Sequence, residues 1–509
     1  MTDTDKKKGR LIVVSNRAPS ICGTADAGGL VVALRGTLER MGGLWVGANP
    51  EPASTPGDEL VIHKRDDFDI AHFSTTEAEQ EDFYLGYANS VLWPVFHGRV
   101  DLMSMEARFA PAYWTVNERI ARGLVSQLRP NDTIWVQDYQ LIPLARELRR
   151  LGVKNSIGFF LHIPVPDVQS FRTIPQWKRL TRGLCAYDLV GLQATRDVTN
   201  LIDICRRAVG AELLPSGALM VDEQRVRVGA FPISIDTQAF RKDAERSAAA
   251  QSKPPFARLI GVDRLDYSKG LPQRFEAYER FLSKPENARW HGNVQFLQVA
   301  PPTRTGVEAY DDIRSELEAL AGRINGAFGT VDWTPIQYIH RPLPREELAG
   351  LYRQSRVALV TPLFDGMNLV AKEFVAAQDE ADPGVLILSE FAGAAEELKS
   401  ALLVNPHDIE QCADAIGAAL DMSLHTRIRR HTQAFDHIAR NDIAAWTRAY
   451  LDALGKSRGG MKTADKPVED RLINIERSMA QALAEDHPDL SGPITTSGVL
   501  AEGSPATKH

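Results

Sequence analysis

The sequence has little cysteine, no long apolar run and no excess of positive charge. Four cysteines stand in 509 residues (Cys22, Cys185, Cys205 and Cys412), scattered, with no CxxC and no paired histidine spacing. The pattern suggests neither a disulfide framework nor a zinc site, and fits buried thiols in a reducing compartment. No apolar run is long enough to span a bilayer. The opening MTDTDKKKGR lacks the apolar segment of a secretory signal, so a cytoplasmic chain with no membrane partner is expected. The formal net charge is −7, which argues against nucleic acid as a partner and leaves room for local basic pockets. No GxGxxG follows a strand, so the generic dinucleotide oxidoreductase is not supported. No DxD-type carboxylate pair stands in a suitable place, and neither a metal nor another cofactor is expected.

What is present is an ordinary globular composition, 44% hydrophobic and 25% charged, over a length that suits two or more domains. Short apolar runs alternate with helix-like segments. The first series is RLIVVSNR (10–17), TIWVQD (133–138), SIGFFLHIP (156–164), DLVGLQ (188–193) and RVRVGAFPISI (225–235). The second includes ARLIGVDRLD (257–266), NVQFLQVAPPTR (293–304), VALVTPL (357–363) and GVLILSEF (384–391). Runs apolar on both faces suit parallel strands covered by helices. This predicts two Rossmann-like doubly wound α/β domains, over 10–242 and 243–440, with ligands in a cleft beyond the strands' carboxyl ends. The polar, Ala/Ser-rich stretch near 240–256 reads as the linker. A flexible N-terminus (1–9), an amphipathic helix returning to the first domain (441–456) and a mostly disordered polar tail (457–509), with one short helix over 470–485, complete the expectation.

Polar residues cluster at the predicted strand ends. Arg17 ends the first run, and Gly28 and Gly29 precede a helix start, as a flexible turn or as a backbone approach to phosphate. Asp138 and His162 end two further runs; a lone histidine there is either a satisfied buried residue or a functional one. The connection VDRLDYSKG (262–270) carries Arg264 and Lys269. Two cations on one loop need carboxylates such as Asp263 and Asp266, or an anion, between them; a diphosphate suits a fork and a point charge together. Arg304 emerges after the next strand. In TPLFDGMNLVAKEF (361–374), Gly366 lets a ligand approach the backbone, and the amides of Met367 to Val370 stand at a helix start. Asp365 and Glu373 can accept from sugar hydroxyls.

These pieces, with VLWPVFH (91–97), QDYQL (137–141), GFFLHIPVP (158–166), AGRINGAFG (321–329) and SEFAGAAEEL (389–398), resemble the trehalose-6-phosphate synthase family over roughly residues 10–455. The resemblance implies a GT-B fold and a retaining glucosyltransferase. Its substrates would be a nucleoside diphosphate glucose, UDP-glucose first, and glucose 6-phosphate; its products, α,α-trehalose 6-phosphate and the nucleotide. It implies an acceptor domain over 10–242 and a nucleotide-sugar domain over 243–440. Arg17, Tyr84 and Arg304 would take the acceptor phosphate, with Trp45, Trp93 and Asp138 on its sugar. Arg264 and Lys269 would clamp the diphosphate, and His162, Asp365 and the amides of Gly366, Met367 and Asn368 the donor sugar. Arg264, Lys269, His162 and Asp365 would form the catalytic set. Leu369, Val370 and Glu373 would line the phosphates and ribose, Leu348 the base, and Gly28 and Gly29 a loop over the nucleotide. A homo-oligomer is expected. A transferase with another phosphorylated acceptor, or a non-catalytic sugar-phosphate sensor, are the alternatives.

Overall fold

The computed structural model describes residues 9–19, 29–250, 254–302 and 308–457. Gly28, Arg304, Cys22 and the helix expected over 470–485 lie outside the described residues.

The strands are β1 (Leu11–Arg17), β2 (Gly43–Ala48), β3 (Val61–His63), β4 (Asp69–Phe73), β5 (Thr133–Gln137), β6 (Ser156–Phe160), β7 (Leu189–Leu192), β8 (Glu212–Leu213), β9 (Leu219–Val221) and β10 (Gln224–Ala230). Then come β11 (Ala257–Val262), β12 (Val294–Val299), β13 (Ile336–Ile339), β14 (Val357–Val360), β15 (Val385–Ser389) and β16 (Leu402–Val404). In the first sheet seven parallel strands run in the order β4-β2-β1-β5-β6-β7-β10, with antiparallel β3 and β9 at the flanks. The second sheet is all parallel, in the order β13-β12-β11-β14-β15-β16.

Strand β1 shows why its apolar run does not alternate. Ile12 and Val14 enter one core cluster, Leu11 and Val13 another on the opposite face. Both faces are covered by helices, so each needs an apolar residue. The second of these clusters continues beyond the first sheet. It joins Trp135 and Phe160 to Ile260, Val360 and Leu388 of the second sheet. Two Rossmann-like doubly wound halves thus face each other across a cleft, the GT-B arrangement.

The stretch read as a linker is mostly helix. Thr237–Ala249 is helical, and its N-cap Asp236 accepts a hydrogen bond from the Ala239 amide at 2.9 Å. Phe240 and Ala244 are buried, and the Phe240 ring lies 6.2 Å from that of Tyr352, on the helix Arg345–Arg353. Polar composition concealed a helix that needs only a narrow apolar stripe to dock.

The last helix among the described residues, Ile443–Ser457, lies on the first sheet. Tyr450 stacks on Trp135 at 4.7 Å, and its hydroxyl donates to the Phe159 carbonyl at 3.0 Å. Gly158 makes room for it: a Cβ there would stand 2.4 Å from the Tyr450 hydroxyl oxygen. Trp446 donates from its indole to the Phe231 carbonyl at 3.0 Å.

Candidate active site

The carboxyl ends of β11 and β14 bring the second half's polar residues together. After β11, Asp263 is committed to Arg274 at 2.9 Å in the core, and Asp266 accepts from the Ser268 amide and hydroxyl. Lys269 finds its carboxylate on the loop after β14, a neighbour of β11 in the sheet: its Nζ lies 2.6 Å from Asp365 Oδ2, with both side chains about nine-tenths buried. Burial pushes the Asp365 carboxyl upward, but the Lys269 charge and the hydrogen bonds from Lys269 and Asn368 outweigh it and hold the carboxyl below its ordinary range. Arg264 is exposed, and its guanidinium stands 5.6 Å from the centre of the Trp93 ring of the first half.

The stretch that follows β14 is a turn that feeds a helix N-terminus. Asn368 has a positive φ of 79°, caps the helix Leu369–Ala377 by accepting from the Ala371 amide, and donates to Asp365 Oδ2 at 3.1 Å. The amides of Leu369 and Val370, in the first turn, have no intrahelical acceptor. Gly366 presses against the first half: a Cβ there would lie 2.3 Å from the His162 carbonyl oxygen. Met367 is buried. Glu373 is partly buried one turn into the helix; burial pushes its carboxyl up to about 7, against the pull of the Arg345 charge. Leu348, Leu369 and Val370 border the same apolar cluster, so the expected base and ribose residues share one margin.

On the first half, His162 sits beyond β6 between two buried glutamines. Its Nε2 is 2.9 Å from Gln137 Oε1 and its Nδ1 3.4 Å from Gln193 Nε2. Burial pushes the imidazole down to about 3, so it is neutral at physiological pH. Both ring nitrogens are engaged within the first half, and a neutral ring so held is a poor general base. Asp138 has a positive φ of 74°, unusual outside glycine. Its carboxylate accepts from the His162 amide at 3.2 Å.

Arg17, at the end of β1, and Tyr84 line a cavity of about 360 Å³ together with Asn16, Asn49, Thr75 and Gln80. The Arg17 guanidinium is 5.7 Å from the Tyr84 ring centre. Tyr84 rides on the π-helix Gln80–Leu92, which runs directly into Trp93. One continuous helical segment therefore carries a residue of this cavity and the residue under Arg264. Trp45 is the exception among the expected contacts. It is 1% exposed, packs in the core, and donates to Ser15 Oγ at 2.7 Å; Ser15 in turn donates to the Arg17 carbonyl. It supports the end of β1 from behind. Gly29 opens the helix Gly29–Met41.

Reading the residues missed His97, whose ring packs at a tilt against Trp93, centres 4.1 Å apart, and whose Nδ1 lies 2.8 Å from the Trp93 carbonyl oxygen. It also missed Gln137 and Gln193 around His162. His97 and Gln137 stood inside quoted motifs; Gln193 carried no such signal, because a glutamine at the end of an apolar run reads as a strand end. Among the described residues no group of three or more His, Cys, Asp or Glu side chains could hold a metal ion. Among them, too, no helix is long and apolar enough to cross a membrane. Cys185, Cys205 and Cys412 are buried free thiols.

The model of glycosyltransferase family 20 matches residues 10–456. The trehalose-6-phosphate synthase of Sodalis glossinidius is 44% identical over 454 residues, covering 88% of this chain and 96% of its own. The structure of a UDP-forming α,α-trehalose-phosphate synthase from Burkholderia xenovorans, in complex with glucose-6-phosphate, superposes with a TM-score of 0.83 at 41% identity, covering 88% of this chain and all of that one. An Escherichia coli structure described as trehalose-6-phosphate bound with UDP-2-fluoro glucose gives a TM-score of 0.83 at 41% identity, over 89% of this chain and all of its own. The chain belongs to glycosyltransferase family 20, the family of the trehalose-6-phosphate synthases.

Proposed function

We propose that the chain transfers glucose from UDP-glucose to glucose 6-phosphate with retention, giving α,α-trehalose 6-phosphate and UDP. The observation that carries this reading is the placing of basic side chains beyond strand ends of both halves. Arg264 and Lys269 stand at the end of β11 beside the turn at Gly366, and Arg17 stands over Tyr84 in the first half's cavity. The relatives that make this sugar phosphate, one holding glucose-6-phosphate and one a UDP-fluoroglucose, support the same pairing.

In this reading the diphosphate takes Lys269 from Asp365, and Asp365 turns to the donor's hydroxyls. Arg264 and Lys269 stabilise the charge that grows on the leaving group, where loss of one contact costs roughly 3 kcal/mol, about a hundredfold in rate. With Asp365 taken up by the donor's hydroxyls, no covalent nucleophile is assigned in this reading. A front-face reaction fits better: the acceptor hydroxyl approaches from the leaving group's side, and a departing phosphate oxygen takes its proton. The protein's work is then position and charge. Buried thiols and the absence of CxxC support a cytoplasmic site of action.

The test is to incubate the protein with glucose 6-phosphate and, separately, UDP-, ADP- and GDP-glucose, and to identify the product. Trehalose 6-phosphate with retained anomeric configuration, formed fastest from UDP-glucose, is expected. Nucleotide release without a disaccharide phosphate, or a product on another sugar phosphate only, would overturn the reading.

A further inference from the structure

The two halves exchange charged side chains at one point beside the donor turn. Arg196, in the first turn of the helix Thr195–Val209 of the first half, reaches across to the second. Its Nη2 donates to the Asp365 carbonyl at 2.9 Å and to the Phe391 carbonyl at 2.7 Å. Its guanidinium also lies 4.8 Å from the centre of the Phe364 ring. In return Glu396, of the second half, caps that helix: the Thr195 amide donates to its Oε2 at 2.9 Å, and the Arg196 amide stands 3.5 Å from its Oε1. The carboxylate thus meets the positive end of a fifteen-residue helix.

The two carbonyls that Arg196 gathers belong to two different loops. Asp365 is in the turn after β14, and Phe391 in the turn after β15. Those turns already touch, through the Asp365 amide on the Phe391 carbonyl at 3.3 Å and the Gly393 amide on the Asp365 carbonyl at 3.2 Å. A guanidinium that donates to both carbonyls fixes the backbone of the residue whose carboxylate holds Lys269. Charge-assisted bonds from a planar donor carry geometric specificity as well as strength. An equal contact made only within one half would be a packing feature. This one forms only when the halves are apposed.

We propose that Arg196 is a positioning residue for glucosyl transfer, and that Arg196 and Glu396 form a latch tying apposition of the two halves to the alignment of Asp365. The activity arm of this proposal rests on the glucosyltransfer reading; the structural arm does not. Neither residue needs to touch substrate. Displacing the Asp365 backbone by even about 1 Å moves the Lys269 clamp and the sugar hydroxyl contacts together, and misplacement on that scale costs on the order of a hundredfold in rate.

The test compares Arg196→Met, Arg196→Lys and Glu396→Gln with the parent enzyme, and with Arg207→Met, an exposed position on the same helix paired to Asp203. Steady-state kinetics with UDP-glucose and glucose 6-phosphate give one readout, and amide hydrogen exchange of residues 362–370, 391–398 and 195–198 the other. Arg196→Met is expected to lower kcat about tenfold to a hundredfold with the glucose 6-phosphate KM changed less than about twofold. Exchange should quicken in both second-half turns. Arg196→Lys should recover part of kcat, because an ammonium still donates. Glu396→Gln should quicken exchange at 195–198, and Arg207→Met should match the parent. A parental kcat, or unchanged exchange in both turns, in Arg196→Met overturns the latch. If Arg196→Met does not fold, Arg196→Lys and Glu396→Gln decide by the same two readouts. If the parent makes no disaccharide phosphate, the glucosyltransfer reading fails, and exchange alone decides the latch.

Discussion

Lys269 Nζ and Asp365 Oδ2 are 2.6 Å apart, and this pair joins the loop after β11 to the loop after β14. Each residue belongs to a separate role in the proposed reaction, yet in this structure they neutralise each other. Removing one partner from a buried pair leaves the other charge uncompensated, at a typical cost of about 3–5 kcal/mol. Lys269→Met should therefore destabilise the protein by roughly that amount in urea unfolding, and the double variant Lys269→Met/Asp365→Asn should be more stable than the single one. The pH dependence follows in sign. The Asp365 carboxyl is held below its ordinary value, so its contribution is present above the unfolded carboxylate pKa and is lost as pH falls through the folded one. The stability gap between parent and Lys269→Met should narrow in acid. A single variant as stable as the parent at neutral pH would refute the coupling.

Glu373 gives a second pH dependence, of opposite origin. Burial pushes its carboxyl up to about 7. Ribose hydroxyls donate best to the ionised form, so donor binding should release a proton and tighten as pH rises. Taking the midpoint near 7, the ionised fraction grows roughly tenfold between pH 6 and 8, and donor affinity should follow. The diphosphate diester of UDP-glucose does not titrate in this window, which leaves the slope to the protein. Calorimetry on the parent and on Glu373→Gln separates the sources: the slope should flatten in the variant, and a slope that persists there would remove Glu373 from the donor site.

Much of the second half was legible in the sequence because its loops carry motifs in which chemistry and backbone geometry coincide. The turn at Gly366, the helix start that follows it and the cations after β11 were expected together from the sequence, and the fold brings Lys269 beside that turn. The first half was harder. Strands β2 and β4 are short and sit among polar residues, and the π-helix Gln80–Leu92 has no simple period. Trp45 was expected on the acceptor side from the family resemblance alone, and only the fold reveals that its ring is buried. The helix at Thr237–Ala249 was lost to its polar surface. Arg196 was invisible because its significance lies in which carbonyls it meets, and no local pattern encodes a contact 169 residues away.

The return of the last helix to the first sheet makes a stability prediction. Tyr450 is fully buried, stacks on Trp135 and donates to the Phe159 carbonyl. Tyr450→Ala opens a cavity between helix and sheet and leaves that carbonyl without this donor. A loss of about 3–5 kcal/mol is expected, read as a lower urea midpoint with the m-value preserved. Tyr450→Phe keeps the ring and should lose only about 1 kcal/mol. Equal effects of the two variants would mean that the hydroxyl, and not the packed ring, anchors the helix.

Arg17 tests the acceptor side without disturbing the donor side. It is exposed at the end of β1, beside Tyr84, in a cavity with no part in the Lys269–Asp365 pair. A charge-assisted bond to phosphate contributes roughly 1.5–3 kcal/mol, or about tenfold to a hundredfold. Arg17→Ala should lower kcat/KM for glucose 6-phosphate by that factor while leaving UDP-glucose affinity unchanged by calorimetry. Unphosphorylated glucose supplies the internal control. It has no group for Arg17 to hold, so its transfer rate should be the same in parent and variant, and the preference for the phosphorylated acceptor should fall by the whole factor. Equal losses on both acceptors would assign Arg17 to the shape of the cavity and would move the phosphate elsewhere.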